Sequence, residues 1–138
     1  MASTIPFKLI SPTQVVFEGD AELVIAVTTE GEEGILPHHA PFLAALRPGV
    51  LRANVLEGGA AKRLELATSE GFLQALPERL TVLVDQALRF EEVDVNGART
   101  ELAEAQECQK SAAADSPQYQ HEQAAIDYAN AKLRLTGH

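Results

Sequence analysis

The first two thirds of the chain alternate apolar and polar residues over short stretches. Leu64 and Leu66, for example, alternate with Arg63 and Glu65. Successive side chains on a strand point to opposite faces of a sheet, so this alternation indicates strands with one buried face. Turn signals recur at close intervals, and no helix-length crossover separates the strands. The pattern predicts a mainly β N-terminal sandwich of about ten short antiparallel strands in residues 1–90.

Three stretches near the N-terminus set the expected strand layout. Residues 14–17 and 21–28 are predicted as separate strands, because Glu-Gly-Asp between them favours a turn. The second of these strands has apolar residues on both faces, which indicates a central position in the sheet. Residues 30–41 hold two glycines, two prolines and three glutamates. Glycine permits positive φ and proline fixes φ, so a shaped, acidic surface loop is expected there.

The hydrophobic period changes from two towards 3.6 near residue 90, which predicts an antiparallel hairpin of two helices in residues 91–138. Asp94 is the predicted N-cap of the first helix. The second is predicted to begin with Ser116 as N-cap and Pro117 at the first helical position. Its predicted apolar stripe consists of His121, Ala124, Ala125, Tyr128, Ala131 and Leu135. Alanine-rich stripes bury little area, so we expect a weakly held, mobile hairpin.

Composition limits the classes of partner. The formal net charge of −9 disfavours nucleic acid, whose phosphates need clustered Lys and Arg, and it disfavours adsorption on anionic lipid. No stretch approaches a membrane span, so no direct membrane insertion is expected. The single cysteine, Cys108, excludes an internal disulfide and a multi-cysteine metal site. Partners are therefore expected to be proteins, and no cofactor is expected.

Catalytic and metal-binding interpretations centre on the loop at residues 30–41. His38 and His39 are adjacent, and adjacent residues in an extended chain point apart, so they rarely bind one ion. The loop has no paired nucleophile and base, and the chain has no phosphate-binding glycine motif. We therefore predict no catalytic and no metal residues. A free-standing enzyme that uses His39 with Glu32 or Asp20 stays open as an alternative.

Five motifs, taken in order, resemble the epsilon subunit of bacterial F-type ATP synthases. Residues 7–19 match F-x-L-I-S-P-x-x-x-x-F-x-G, and residues 30–41 match E-G-E-x-G-I-L-P-x-H-A-P. The others are L-R-P-G-V at 46–50, E-G-F at 70–72 and T-V-L-V-D-Q-A at 81–87. His38 replaces the family's usual glycine, which would carry modest strain if the position needs positive φ.

The resemblance implies a ten-stranded sandwich followed by a helical hairpin, in a non-catalytic subunit of the central stalk that turns with the rotor. It implies binding to the gamma subunit and to the ring of c subunits, coupling proton flow to ATP synthesis. By position, the contact with the c ring is expected at Glu30, Gly31, Glu32 and Glu33, with His39 nearby. The sequence does not indicate which strands contact gamma.

Some bacterial members of the family bind ATP through I/L-D-x-x-R-A. The corresponding run here contains Ile126, Asp127, Asn130 and Ala131, where Asn130 stands in place of the arginine. Asparagine lacks the charged fork that phosphate recognition uses, so weak ATP binding or none is expected. An ATP-sensing module is the alternative function.

Inhibition of ATP hydrolysis in the family uses basic side chains of the second helix, which transiently meet the alpha and beta subunits. From residue 117 onward this chain has only Lys132 and Arg134 against two carboxylates, so self-inhibition is expected to be weak. The first residues resemble neither a secretory signal nor a transit peptide. This favours a peripheral protein on the cytoplasmic face of the bacterial inner membrane.

Overall fold

Nine strands and two helices make up residues 3–138, the part of the chain that the computed structural model describes. The strands are β1 (Ile5–Ser11), β2 (Gln14–Thr28), β3 (Gly31–Ile35), β4 (Phe42–Leu46), β5 (Gly49–Glu57), β6 (Ala60–Thr68), β7 (Gly71–Leu76), β8 (Arg79–Val84) and β9 (Ala87–Arg89). A 3-10 turn at Phe90–Glu92 leads to the helices, α1 (Val95–Lys110) and α2 (Pro117–Leu135). A sandwich followed by a helical hairpin confirms the predicted fold class.

The core is aliphatic and lies between two layers of strands. The inward residues Leu9, Leu66, Leu73 and Leu80 are all fully buried. Full burial of one leucine side chain contributes about 2 kcal/mol to folding, so such residues dominate the stability of the sandwich. The strand order is β1-β8-β7-β4-β2-β5-β6-β9, with β3 beside β2 and an additional pairing of β1 with β2.

Strand β2 runs through the turn that the sequence predicted at Glu18, Gly19 and Asp20. These residues pair with Lys8, Phe7 and Pro6 of β1, and this pairing keeps them extended. The prediction of two short strands here was therefore wrong. The first half of β2 pairs with β1 and the second half with β5, after a bulge between residues 21 and 23. One long strand thus belongs to both layers.

Two other details differ from the prediction. The expected loop at residues 30–41 begins with a strand, because Gly31–Ile35 pairs with β2 and buries Ile35. The pairing of β1 with β8 is parallel rather than antiparallel. No crossover helix is needed for it, because the intervening chain consists of the other strands of the sandwich. The expectation of antiparallel pairing holds for the other strand pairs in residues 3–138.

Both helices begin at the N-cap residues that the sequence predicted. Ser116 Oγ accepts a hydrogen bond from the Tyr119 amide at 3.1 Å, and Pro117 opens α2. Asp94 is the N-cap of α1 by backbone conformation, without a side-chain hydrogen bond. Ala98 and Ala105 of α1 are buried.

The predicted apolar stripe of α2 was half right. Tyr128, Ala131 and Leu135 pack on Val50 and Ala67 of the sandwich. His121 and Ala125 are exposed instead. A second row is buried, consisting of Ile126, Ala129 and Leu133. The reason is that α2 contacts β5 and β6 on one side and α1 on another, so two rows of its surface are covered.

Candidate partner-binding surfaces

The acidic segment forms a tight hairpin between β2 and β3. Thr28 Oγ1 donates to the carbonyl of Gly31 at 2.8 Å and accepts from the Glu30 amide at 3.1 Å. Gly31 has a φ of 118°, a conformation open mainly to glycine. Glu32 Oε1 accepts from Arg52 at 2.9 Å, and Glu33 is exposed. The structure therefore brings these acidic residues together at one firmly hydrogen-bonded, solvent-facing tip.

His39 lies in the loop between β3 and β4, four residues after Ile35. Its Nδ1 donates to the carbonyl of Ala40 at 2.9 Å, and its ring meets Phe42 edge-on at 5.8 Å between centroids. His38 has a φ of 65°, so the positive φ considered from the sequence is present. Both histidines are held by local structure of the loop between β3 and β4.

Within residues 3–138, no group of three or more His, Cys, Asp or Glu residues is placed so that it could hold a metal ion. Asp20 is paired with β1 and β5 along β2. Glu32 is engaged by Arg52. His39 Nδ1 donates to the Ala40 carbonyl, so each of the three residues considered for an enzyme has a structural contact of its own.

Strands β4, β7 and β8 carry a row of exposed apolar side chains on the outer surface of the sandwich. Leu43 is 70% exposed, Phe72 57% and Leu83 50%. Strand register puts Ala45 opposite Phe72 and Phe72 opposite Leu83, so these residues are neighbours across three strands. We call Leu43, Ala45, Phe72 and Leu83 the outer apolar face. Exposed apolar clusters of this kind mark interaction sites more often than scattered single residues do.

Sequence reasoning missed this face. The alternation of side chains along β7 and β8 could have indicated part of it. Because Leu73 and Val82 point inward, their neighbours Phe72 and Leu83 must point outward. Their clustering with Leu43 depends on strand order, which the sequence did not supply.

The run matched to the ATP-binding motif is occupied by structural contacts. Ile126 is buried, and Ala131 packs on the sandwich. Asp127 Oδ2 accepts from Arg47 at 3.3 Å, and its Oδ1 accepts from Gln123 at 3.0 Å. Asn130 is exposed. Three of the four therefore take part in the packing or ion pairing of α2, and Asn130 faces solvent.

Lys132 is the unexpected member of the interface between the helices. It is only 8% exposed, its Nζ donates to Glu101 at 2.8 Å, and it lies 4.4 Å from the centroid of the Tyr128 ring. The carboxylate and the aromatic face together compensate the loss of water around the ammonium group. The spacing of Tyr128 and Lys132 at i and i+4 indicated their contact, but the burial of Lys132 required α1.

The pKa of Tyr128, whose ring contacts Lys132, is shifted from its ordinary value. Burial, followed by the negative charges of Glu101 and Glu92, raises the pKa of Tyr128 from 10.0 to about 12. Its hydroxyl has no hydrogen-bond partner among the described residues. The folded protein therefore favours the neutral phenol.

Comparison with known proteins gives a consistent result. Residues 4–90 match the family described as ATP synthase, Delta/Epsilon chain, beta-sandwich domain. The ATP synthase epsilon chain of Teredinibacter turnerae is 38% identical over 134 residues, which covers 97% of this chain and 93% of that one. The epsilon chain of Chromobacterium violaceum is 38% identical over 108 residues, with 78% and 76% covered.

Solved structures share the fold. A chain in the cryo-EM structure of the Euglena gracilis mitochondrial ATP synthase, which contains OSCP, F1 and the c-ring, matches with a TM-score of 0.77. It is 23% identical, and the match covers 98% of this chain and 82% of that chain. No helix within residues 3–138 is long and apolar enough to cross a membrane.

A β-sandwich with a docked helical hairpin, together with these relatives, defines the class: a non-catalytic subunit of ATP synthase. Within that class, the chain belongs to the ATP synthase epsilon chain family. The family resemblance predicted from its motifs is thereby confirmed.

We predict a specific pH dependence for Tyr128. The unfolded tyrosine ionises near pH 10, whereas the folded one keeps its proton until about pH 12. The stability that it contributes is thus full below pH 10 and is lost as pH rises from 10 to about 12. Tyr128→Phe should lose less free energy of unfolding over this interval than wild type, as measured by urea denaturation at several pH values. Tyr119→Phe, on the same helix, is the control and should retain the wild-type loss.

Proposed function

We propose that this chain is a rotor subunit of ATP synthase, which binds the gamma subunit and the c ring and couples proton flow to ATP synthesis. It would act as a peripheral protein on the cytoplasmic face of the bacterial inner membrane. In this proposal residues 1–90 are the β-sandwich domain and residues 91–138 are the two-helix antiparallel hairpin. Membership of the epsilon chain family supports the assignment of this chain to ATP synthase. The observation that carries the argument is the outer apolar face on a chain of net charge −9.

The outer apolar face is the proposed gamma-binding surface. Strands β4, β7 and β8 expose Leu43, Phe72 and Leu83 near one another on the outer surface of the sandwich. Large apolar and aromatic residues at the centre of an interface supply most of its binding energy. A partner that covers this face would remove Leu43, Phe72 and Leu83 from water.

Replacing Phe72 with glutamate should therefore weaken gamma binding. A charge at the centre of the face opposes desolvation, and we expect a loss of at least about 30-fold in affinity, equivalent to 2 kcal/mol. Calorimetry with the gamma subunit from the same cell measures this affinity. Phe90→Glu is the matched control, because Phe90 is 59% exposed outside the face. Equal affinity of the two variants would contradict this assignment, as would failure of the wild-type chain to bind gamma.

The acidic tip at residues 30–33 is the proposed contact with the polar loops of the c ring. Glu30, Gly31, Glu32 and Glu33 present carboxylates on a hairpin whose backbone is held by Thr28, and such a tip suits basic groups on a partner. We include His39 at the margin of this contact.

Glu33→Lys should loosen the coupling between ATP hydrolysis and proton pumping, because it reverses a charge at the c-ring contact. Gamma binding should stay unchanged, since the outer apolar face is intact. Proton pumping by membrane vesicles, relative to their ATPase rate, is the measurement. The control is Glu57→Lys, an exposed carboxylate at the far end of β5. Normal coupling in Glu33→Lys, His39→Ala and the double variant would exclude this contact.

The helices are proposed to have only a weak regulatory role, through transient contact with the alpha and beta subunits. Lys132 is engaged by Glu101, which leaves Arg134 as the exposed basic residue of the last turns of α2. We also propose that Ile126, Asp127, Asn130 and Ala131 serve the packing of α2 and bind no ATP. Asp127 in particular is committed to Arg47.

Two readouts test this role of the helices. Calorimetry with ATP and magnesium should give no binding heat, and removal of residues 91–138 should change the ATPase rate of the assembled enzyme only slightly. Micromolar ATP affinity that Asp127→Ala abolishes would reverse the first conclusion. A many-fold rise in ATPase rate on truncation would reverse the second.

A further inference from the structure

A groove runs between the outer apolar face and the N-terminal half of α2. Its volume is about 990 Å³. Ala45, Phe72 and Leu83 form one wall, and Gln120 and Ala124 of α2 form the opposite wall. The groove is therefore composite: one side belongs to the sandwich and the other to the hairpin. It is large enough for several side chains of a partner segment.

The charged residues that line the groove are mainly negative. Its lining includes the carboxylates of Glu70, Asp85 and Asp127 and one cation, Arg47, a net charge of −2. Arg47 and Asp127 form an ion pair with each other at 3.3 Å. Glu70 and Asp85 are exposed, so their charges face whatever enters the groove. The groove thus combines the apolar wall of Phe72 and Leu83 with an acidic rim, which consists of Glu70 and Asp85.

We propose that this groove receives a protein segment whose apolar side chains are flanked by Lys or Arg. The inference rests on the proposed function, because it assigns the segment to the gamma subunit. Apolar side chains of the segment cover Phe72 and Leu83, and its cations meet Glu70 and Asp85. Complementary charge of this kind sets orientation and speeds association.

Binding in a groove with two walls also acts on the hairpin. The described contacts of α2 with the sandwich are modest, chiefly a small cluster with Val50 and Ala67 and the ion pair of Asp127 with Arg47. A segment that touches both walls binds best when α2 is docked, so it must stabilise docking by linkage. Occupancy of the groove therefore holds the hairpin against the sandwich.

The charge of the rim is tested with a double variant, Glu70→Lys with Asp85→Lys. Its affinity for the gamma subunit should fall by about 10-fold or more at low salt, and the loss should shrink at high salt. The matched control is Glu78→Lys in the turn at the opposite end of β7 and β8, which should bind as wild type does. Circular dichroism verifies that each variant is folded.

Hydrogen exchange tests the second wall. Gamma binding to the wild-type chain should slow amide exchange in residues 118–127 of α2 as well as in β7 and β8. If gamma does not bind the wild-type chain at all, the proposed function fails. The groove inference fails on its own if the double variant binds gamma as its control does and gamma leaves amide exchange in α2 unchanged. In that case the proposed function stands, provided that gamma binds the wild-type chain and that Phe72→Glu weakens this binding.

Discussion

The dual pairing of β2 is the constraint on which the rest of the structure depends. Because β2 pairs first with β1 and then with β5 and β3, one strand joins the two layers and aligns their inward residues. An aliphatic core follows, against which Phe7 and Phe17 pair with 5.6 Å between their ring centroids. The hairpin at Glu30 and the outer face of β4 both take their positions from this strand.

The surfaces of the sandwich differ in the kind of contact that they offer. The tip at residues 30–33 is acidic and locally rigid, which suits a small polar contact. The outer apolar face presents Leu43, Phe72 and Leu83 near one another, which suits an apolar contact. Two separate surfaces on one rigid scaffold allow a subunit to bridge two partners without changing shape itself.

The hairpin is more firmly joined within itself than to the sandwich. Lys132 is clasped by Glu101 and Tyr128, and Gln109 donates to Gln123 at 2.8 Å, so α1 and α2 share polar as well as apolar contacts. Its attachment to β5 and β6 is built largely from Val50, Ala67 and Ala131, whose small area contributes little. This imbalance agrees with the expectation of a weakly held hairpin, which stays a prediction.

The sequence by itself determined the fold class, the helix caps and the positive φ available at residue 31, because period, capping residues and glycine act over a few neighbouring residues. It also determined that residues 30–33 are acidic and exposed. Only the tertiary structure decided that residues 18–20 stay extended, since their hydrogen-bond partners lie on β1. Likewise, the burial of Lys132 and the clustering of Leu43 with Phe72 depend on which elements become neighbours, and local sequence does not encode that proximity.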